Sequence, residues 1–170
     1  MSDDTILGWF AGRTPDAWFI HPVEVNTDRD EIIVTGTLNA PDVGDAGDTA
    51  RREAERSRIA DFREESRARR MEIAAAAERH FERKVSWSIR CGETHHLFTH
   101  LSAPAMTRLR MAERRVLDTL IDAGVARSRS EALQWCVKLV GRHEEEWLSD
   151  LRKALQDVET VRDRGPGSDG

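Results

Sequence analysis

The chain has 170 residues, of which 39% are hydrophobic and 34% charged, with a formal net charge of −5. That length suits one domain or a domain with a helical extension, and a charged fraction above about a quarter implies solvated helices around a small core. With no run of about 18 apolar residues, only two cysteines and an acidic Met1-Ser2-Asp3-Asp4 opening, neither a membrane span, a disulfide framework nor a secretion signal is expected, and the protein reads as reduced and cytoplasmic.

Residues 17–38 read as a hairpin. Ala17-Trp18-Phe19-Ile20 and Val23-Glu24-Val25 are β-prone, Asn26 to Asp30 is turn chemistry, and Glu31 to Leu38 is the second strand. Pro22 has no amide hydrogen, which marks the first strand as an edge. Residues 39–48 form a loop. From 48 to 82 the chain is rich in Arg, Glu and Ala without Pro or Gly, and predicts one long helix. Its apolar stripe is thin (Ile59, Phe62, Ile73, Ala77, Phe81) and is interrupted by Ser66 and Arg70.

The period then shifts from about 3.6 residues to 2. Val85, Trp87, Ile89 and Cys91 alternate with Ser86, Ser88 and Arg90, Gly92-Glu93 reads as a turn, and Thr94 to Leu101 as the return strand. Met106, Leu109, Val116, Leu117, Leu120 and Ile121 define an amphipathic helix that ends at Gly124. Ser128-Arg129-Ser130-Glu131 is a capping box for the next helix. The stripe of that helix runs through Leu133, Val137, Val140, Trp147, Leu151, Leu155 and Val158, with Gly141 as a weak point. Residues 163–170 are expected to form a disordered tail. The order of elements predicts an α+β protein: a β-hairpin, a long Arg/Glu-rich helix, a second β-hairpin and two helices.

Charge is distributed unevenly. Residues 1–50 carry 2 basic and 10 acidic side chains and residues 144–170 carry 4 and 8, whereas residues 51–143 carry 20 basic and 13 acidic ones. A basic centre can face a polyanion although the whole chain is acidic, because binding follows local potential.

Within that centre lie the strand Leu97-Phe98-Thr99-His100-Leu101, Pro104 opening a helix, Val116-Leu117-Asp118-Thr119-Leu120-Ile121-Asp122-Ala123-Gly124-Val125, and Ala126-Arg127-Ser128-Arg129-Ser130-Glu131-Ala132-Leu133. The stretch from Leu97 to Val140 resembles the ribbon-helix-helix family, the Arc and MetJ type of DNA-binding protein. The resemblance implies a homodimer whose two strands pair into a ribbon that enters the major groove of duplex DNA. It implies that Leu97, Leu101, Leu117, Leu120, Leu133 and Val137 make the dimer and that His96, Phe98 and His100 face the groove. Arg127, Ser128, Arg129 and Ser130, at a helix N-terminus, would hold phosphate. On this reading residues 83–162 are the dimerisation and DNA-binding part of a transcriptional regulator. Residues 1–82 are then an interaction or sensing extension able to meet a protein partner. The alternative is a non-enzymatic protein–protein adaptor or assembly factor built on the same dimeric core.

Enzymatic chemistry is not expected. Cys91, His95, His96 and His100 form the one cluster of soft or nitrogen ligands, but on a strand His96 and His100 lie about 13 Å apart. Glu64-Glu65 and Glu144-Glu145-Glu146 read as solvated helix faces. No catalytic residue, metal or cofactor is therefore assigned.

Overall fold

The computed structural model describes residues 3–164, which form two compact units dividing after Pro104. The chain is α+β, with a four-stranded sheet in the first unit and helices in both. Among the described residues no helix is long and apolar enough to cross a membrane.

The N-terminal unit opens with α1 (Asp3–Ala11), an element absent from the sequence-based expectation. Ile6 and Phe10, four residues apart on one face, are fully buried. Asp3 and Asp4 sit in the first turn, where the helix dipole favours negative charge. The hairpin that follows is shorter than expected: β1 (Glu24–Thr27) pairs antiparallel with β2 (Glu31–Leu38). Its turn is fixed by Asp28, whose carboxylate accepts the amides of Asp30 at 2.8 Å and Glu31 at 2.7 Å.

Ala17–Ile20 is not a strand. The Trp18 amide donates to the Pro15 carbonyl in a turn, and Ile20 makes one bond to the Thr37 carbonyl. Trp18 and Phe19 instead lay their rings against Phe62. Strand preference in aromatic residues reflects how they pack, and here packing is satisfied from a turn.

The long helix is two helices, α2 (Asp48–Glu65) and α3 (Arg67–Phe81), which meet at Ser66. The Ser66 hydroxyl donates back to the Phe62 carbonyl, a bond that competes with the helical ladder and bends helices. Arg70 spans the break: its Nε donates to Ser66 Oγ at 2.8 Å and its Nη2 to the Arg63 carbonyl at 2.6 Å. The two residues that interrupt the apolar stripe are thus the buried polar groups that make the joint.

The larger difference lies in β3 (Lys84–Cys91). It pairs antiparallel with β4 (Thr94–Leu97) as expected, and also parallel with all of β2, from Glu31 opposite Lys84 to Leu38 opposite Cys91. The two hairpins therefore join in one sheet of order β1-β2-β3-β4, with α2 and α3 as the long crossover that parallel neighbours require. The division of the chain falls after residue 104 and not at residue 82, because β3 is central to the N-terminal sheet. One sheet face, carrying Ile32, Val34, Trp87, Ile89 and Cys91, packs with helix residues Phe10, Ile59, Ile73 and Ala77 into the core.

Strand β4 stops at Leu97 and does not reach Leu101. The Phe98 amide donates to the Trp87 carbonyl at 2.8 Å, and its ring packs against both core clusters. The guanidinium carbons of Arg63 and Arg70 lie 5.4 and 4.6 Å from that ring centroid.

The β3–β4 turn is clamped by an acid. Glu55 of α2, only 1% exposed, accepts the Thr94 amide at 3.1 Å, the Thr94 hydroxyl at 2.6 Å and the Glu93 amide at 3.4 Å. Gly92, at φ +57°, leaves room for this carboxylate, which a Cβ would overlap. The Thr94 hydroxyl bond, with the two amide bonds, holds the Glu55 carboxyl below its ordinary value of 4.5. A depressed native value means that the clamp stabilises fully above about pH 4.5 and is lost as acid passes through the native value. Thermal unfolding of Glu55→Gln should therefore begin at a lower temperature at pH 7. It should also fall less steeply than the parent between pH 5 and 3, roughly the range in which a carboxylate titrates.

The C-terminal unit consists of α4 (Met111–Asp122), α5 (Arg129–His143) and α6 (Glu145–Arg164). Pro104 opens no helix: the chain stays irregular or extended to Arg110, at φ −80° and ψ 175°, and α4 starts there. The final stripe is divided between α5 and α6 by Glu144, at φ −116° and ψ 29°, three residues beyond Gly141. Of the expected tail, positions 163 and 164 end α6, and 165–170 lie outside the described residues.

Candidate nucleic-acid interface

The α4–α5 corner is built from local chemistry. Gly124 takes φ +73°, a left-handed stop, and the amides of Gly124 and Val125 return to the carbonyls of Ile121 and Leu120, each at 2.9 Å. Leu117, Ala126 and Ala132 form the buried centre, flanked by Leu109, Leu120, Ile121, Leu133 and Cys136. Ser128 Oγ accepts the Glu131 amide at 3.2 Å, as the capping box predicts. The Glu131 carboxylate reaches one residue further back than in that motif and accepts the Arg127 amide at 2.8 Å.

The four expected phosphate ligands, Arg127, Ser128, Arg129 and Ser130, are brought together at the exposed mouth of α5. They are not equally available. Arg129 makes a forked bond to Asp118 through Nε and Nη2, at 2.7 and 2.8 Å. That hydrogen bond pulls the Asp118 carboxyl down and pushes the Arg129 guanidinium up, so both stay charged near neutrality. Arg127 keeps its side chain without a recorded partner among the described residues.

The expected groove-facing and strand residues lie elsewhere. His96, Leu97, Phe98, His100 and Leu101 all belong to the N-terminal unit. Leu97 sits opposite Ser88 within its own sheet, and Phe98 is turned into the core, so this segment is no free ribbon. Leu117, Leu120 and Leu133 share the buried cluster of the C-terminal unit, whereas Val137 of the same unit is exposed.

A different segment precedes α4. Residues 105–110 make no β-ladder with their own chain. Leu109 packs on the helical core, held there by Arg114 Nη1 donating to its carbonyl at 2.7 Å, while Met106 is 100% exposed and Arg108 and Arg110 also face solvent. Beside it opens a cleft of about 350 Å³ bordered by Thr107, Leu117, Arg129, Ser130 and Leu133. The sequence signal for this segment is the short alternation Thr107-Arg108-Leu109-Arg110, in place of the helix that the spacing of Met106 and Leu109 predicts.

Residues 4–97 match the family described as "Rv1265-like protein, N-terminal domain". The chain belongs to the Rv1265-like family. Residues 110–162 match "Mb1296 C-terminal domain", so the two matched regions fall on either side of the structural division. The proteins Rv1265 of Mycobacterium tuberculosis strain H37Rv, MT1303 of M. tuberculosis strain CDC 1551 and Mb1296 of Mycobacterium bovis are each 50% identical over 158 residues. Each match covers 93% of this chain and 69% of the relative. No solved structure matches the chain significantly.

In this Rv1265-like protein the cysteine–histidine cluster is dispersed by the sheet. Cys91 is buried, and burial, with Glu55 nearby, pushes its thiol pKa up, which disfavours a nucleophilic thiolate. His95 Nε2 and Ser88 Oγ share a hydrogen bond of 2.5 Å, but Ser88 is buried and, among the described residues, no carboxylate bonds to His95. His95 and His96 border a cleft of about 510 Å³ with Arg56 and Arg63 of α2. Among the described residues no three His, Cys, Asp or Glu side chains converge as a metal site would need.

Proposed function

We propose that the chain is a non-enzymatic, homodimeric DNA-binding protein of ribbon-helix-helix type, acting as a cytoplasmic transcriptional regulator, with residues 105–110 as its ribbon. The observation that carries this reading is a segment outside any helix or β-ladder, ending at the extended Arg110, placed directly before two helices joined at a Gly124 stop and a Ser128 cap. A strand and two helices bury too little on their own, and α4 and α5 leave Met111, Val116, Val137 and Val140 exposed for a second copy to cover.

Pairing residues 105–110 antiparallel across a two-fold axis gives a ribbon of two strands, which a major groove about 12 Å wide admits. Side chains alternate along a strand, so with Leu109 against the helices Arg108 and Arg110 point to the bases. Arginine binds guanine O6 and N7 with two parallel bonds, which suits it to reading bases. The Arg127 side chain and the first turn of α5 can then anchor phosphate.

Titrating the purified chain into labelled genomic DNA fragments, with fluorescence anisotropy at rising salt, tests this reading. Binding should be measurable at about 50 mM salt and should weaken steeply by about 200 mM as phosphate contacts release counterions. No binding at the lower salt, together with a stoichiometric protein partner on purification from the host, would support the adaptor reading instead.

A further inference from the structure

The dimer just described does not use α6. Among the described residues, α6 contributes nothing to the buried cluster of its unit. It nevertheless carries a continuous apolar stripe, in which Leu155 and Val158 are 63% and 62% exposed. The spacing of that stripe is informative. Leu148, Leu151, Leu155 and Val158 follow alternating steps of three and four, the repeat of a supercoiled helix seam. The same repeat, continued by one step each way, falls on Glu144, the residue just before α6, and on Arg162 in its last turn.

We infer that α6 pairs antiparallel with α6 of a second copy of this chain. In that arrangement Leu151 meets Leu155 of the second copy, Leu148 meets Val158, and Glu144 meets Arg162. Every contact occurs twice, as a two-fold interface demands. The seam is then apolar through its middle and closed at both ends by opposite charges. A parallel pair would set Glu144 against Glu144 and Arg162 against Arg162, so the end charges select the antiparallel form. A lipid surface fits poorly, because the first turn carries Glu145 and Glu146 where a membrane-surface helix carries lysine and arginine.

The inference does not rest on DNA binding, and its test reads mass alone. Sedimentation of the full chain over a range of concentrations gives its association constants. Leu155→Lys should abolish one association step. Glu144→Arg and Arg162→Glu should each weaken that step about tenfold, because each places like charges at both ends of the seam. The double variant E144R/R162E should recover the parent behaviour. All four proteins should retain the parent circular dichroism, since the altered side chains are on the surface. Unchanged association in Leu155→Lys, or a double variant no better than the single ones, would overturn the inference whether or not the protein binds DNA.

Discussion

Replacing Arg108 and Arg110 together by alanine should weaken DNA binding by roughly a hundredfold or more while leaving the fold intact, since each paired contact to a base contributes about 1–3 kcal/mol. Both side chains are exposed, and neither makes a recorded side-chain bond among the described residues, so their removal exposes no buried partner. The loss should be largest on the preferred sequence and smaller on random DNA, because base contacts specify whereas phosphate contacts position. His96→Ala and His100→Ala supply the contrast. If the ribbon lies at 105–110, these two variants bind as the parent does, because both histidines belong to the N-terminal unit. The opposite outcome, with histidine variants that lose binding and arginine variants that keep it, would move the interface to the sheet edge at β4. Arg127→Ala is the third arm: it should weaken all sequences alike and flatten the salt dependence by about one counterion.

That contrast turns on how a strand is recognised in a sequence. The alternation from Val85 to Cys91 is plain and locates β3 without ambiguity. It cannot say which strand lies alongside, and the parallel pairing with β2 depends on a crossover of more than forty residues that leaves no local mark. Once β3 is claimed by β2, β4 follows it into the N-terminal sheet, and the segment read as the ribbon belongs to a different unit from α4 and α5. The helical corner was legible because its determinants are local: Gly124 must take a positive φ and Ser128 must cap α5, and both do. Residues 105–110 show the reverse. A ribbon strand of the kind proposed would have no partner in its own chain, and six residues are too few for alternation to stand out against the Met106 and Leu109 spacing. Buried charge was equally hidden. Glu55 reads as one more surface acid on an Arg/Glu helix, and only the folded chain brings the Thr94 amide and hydroxyl to it.

The N-terminal unit carries a second large expected effect, at Gly36 in the middle of β2. Glycine inside a strand is ordinarily weak, and Gly36 does not need a positive φ, so by backbone preference alone alanine there should stabilise by about 0.4–1 kcal/mol. The sign is reversed by Phe19. Its ring lies directly over the glycine, and a Cβ at position 36 would overlap three of its carbons. The ring has little room to retreat, because it packs against Trp18 and Phe62, with centroids 5.9 and 5.4 Å away. Gly36→Ala should therefore destabilise the unit by about 1–3 kcal/mol, the usual effect of overfilling a packed core. For a domain of about 100 residues that lowers the melting temperature by roughly 4 °C or more. Trp9, Trp18 and Trp87 surround this part of the core, so tryptophan fluorescence during thermal unfolding reports on it. A double-mutant cycle separates collision from backbone effects. Phe19→Ala removes the ring at its own cost, and in that background Gly36→Ala should be harmless or mildly stabilising, a clear departure from additivity. An equal loss in both backgrounds would mean that Phe19 does not constrain position 36.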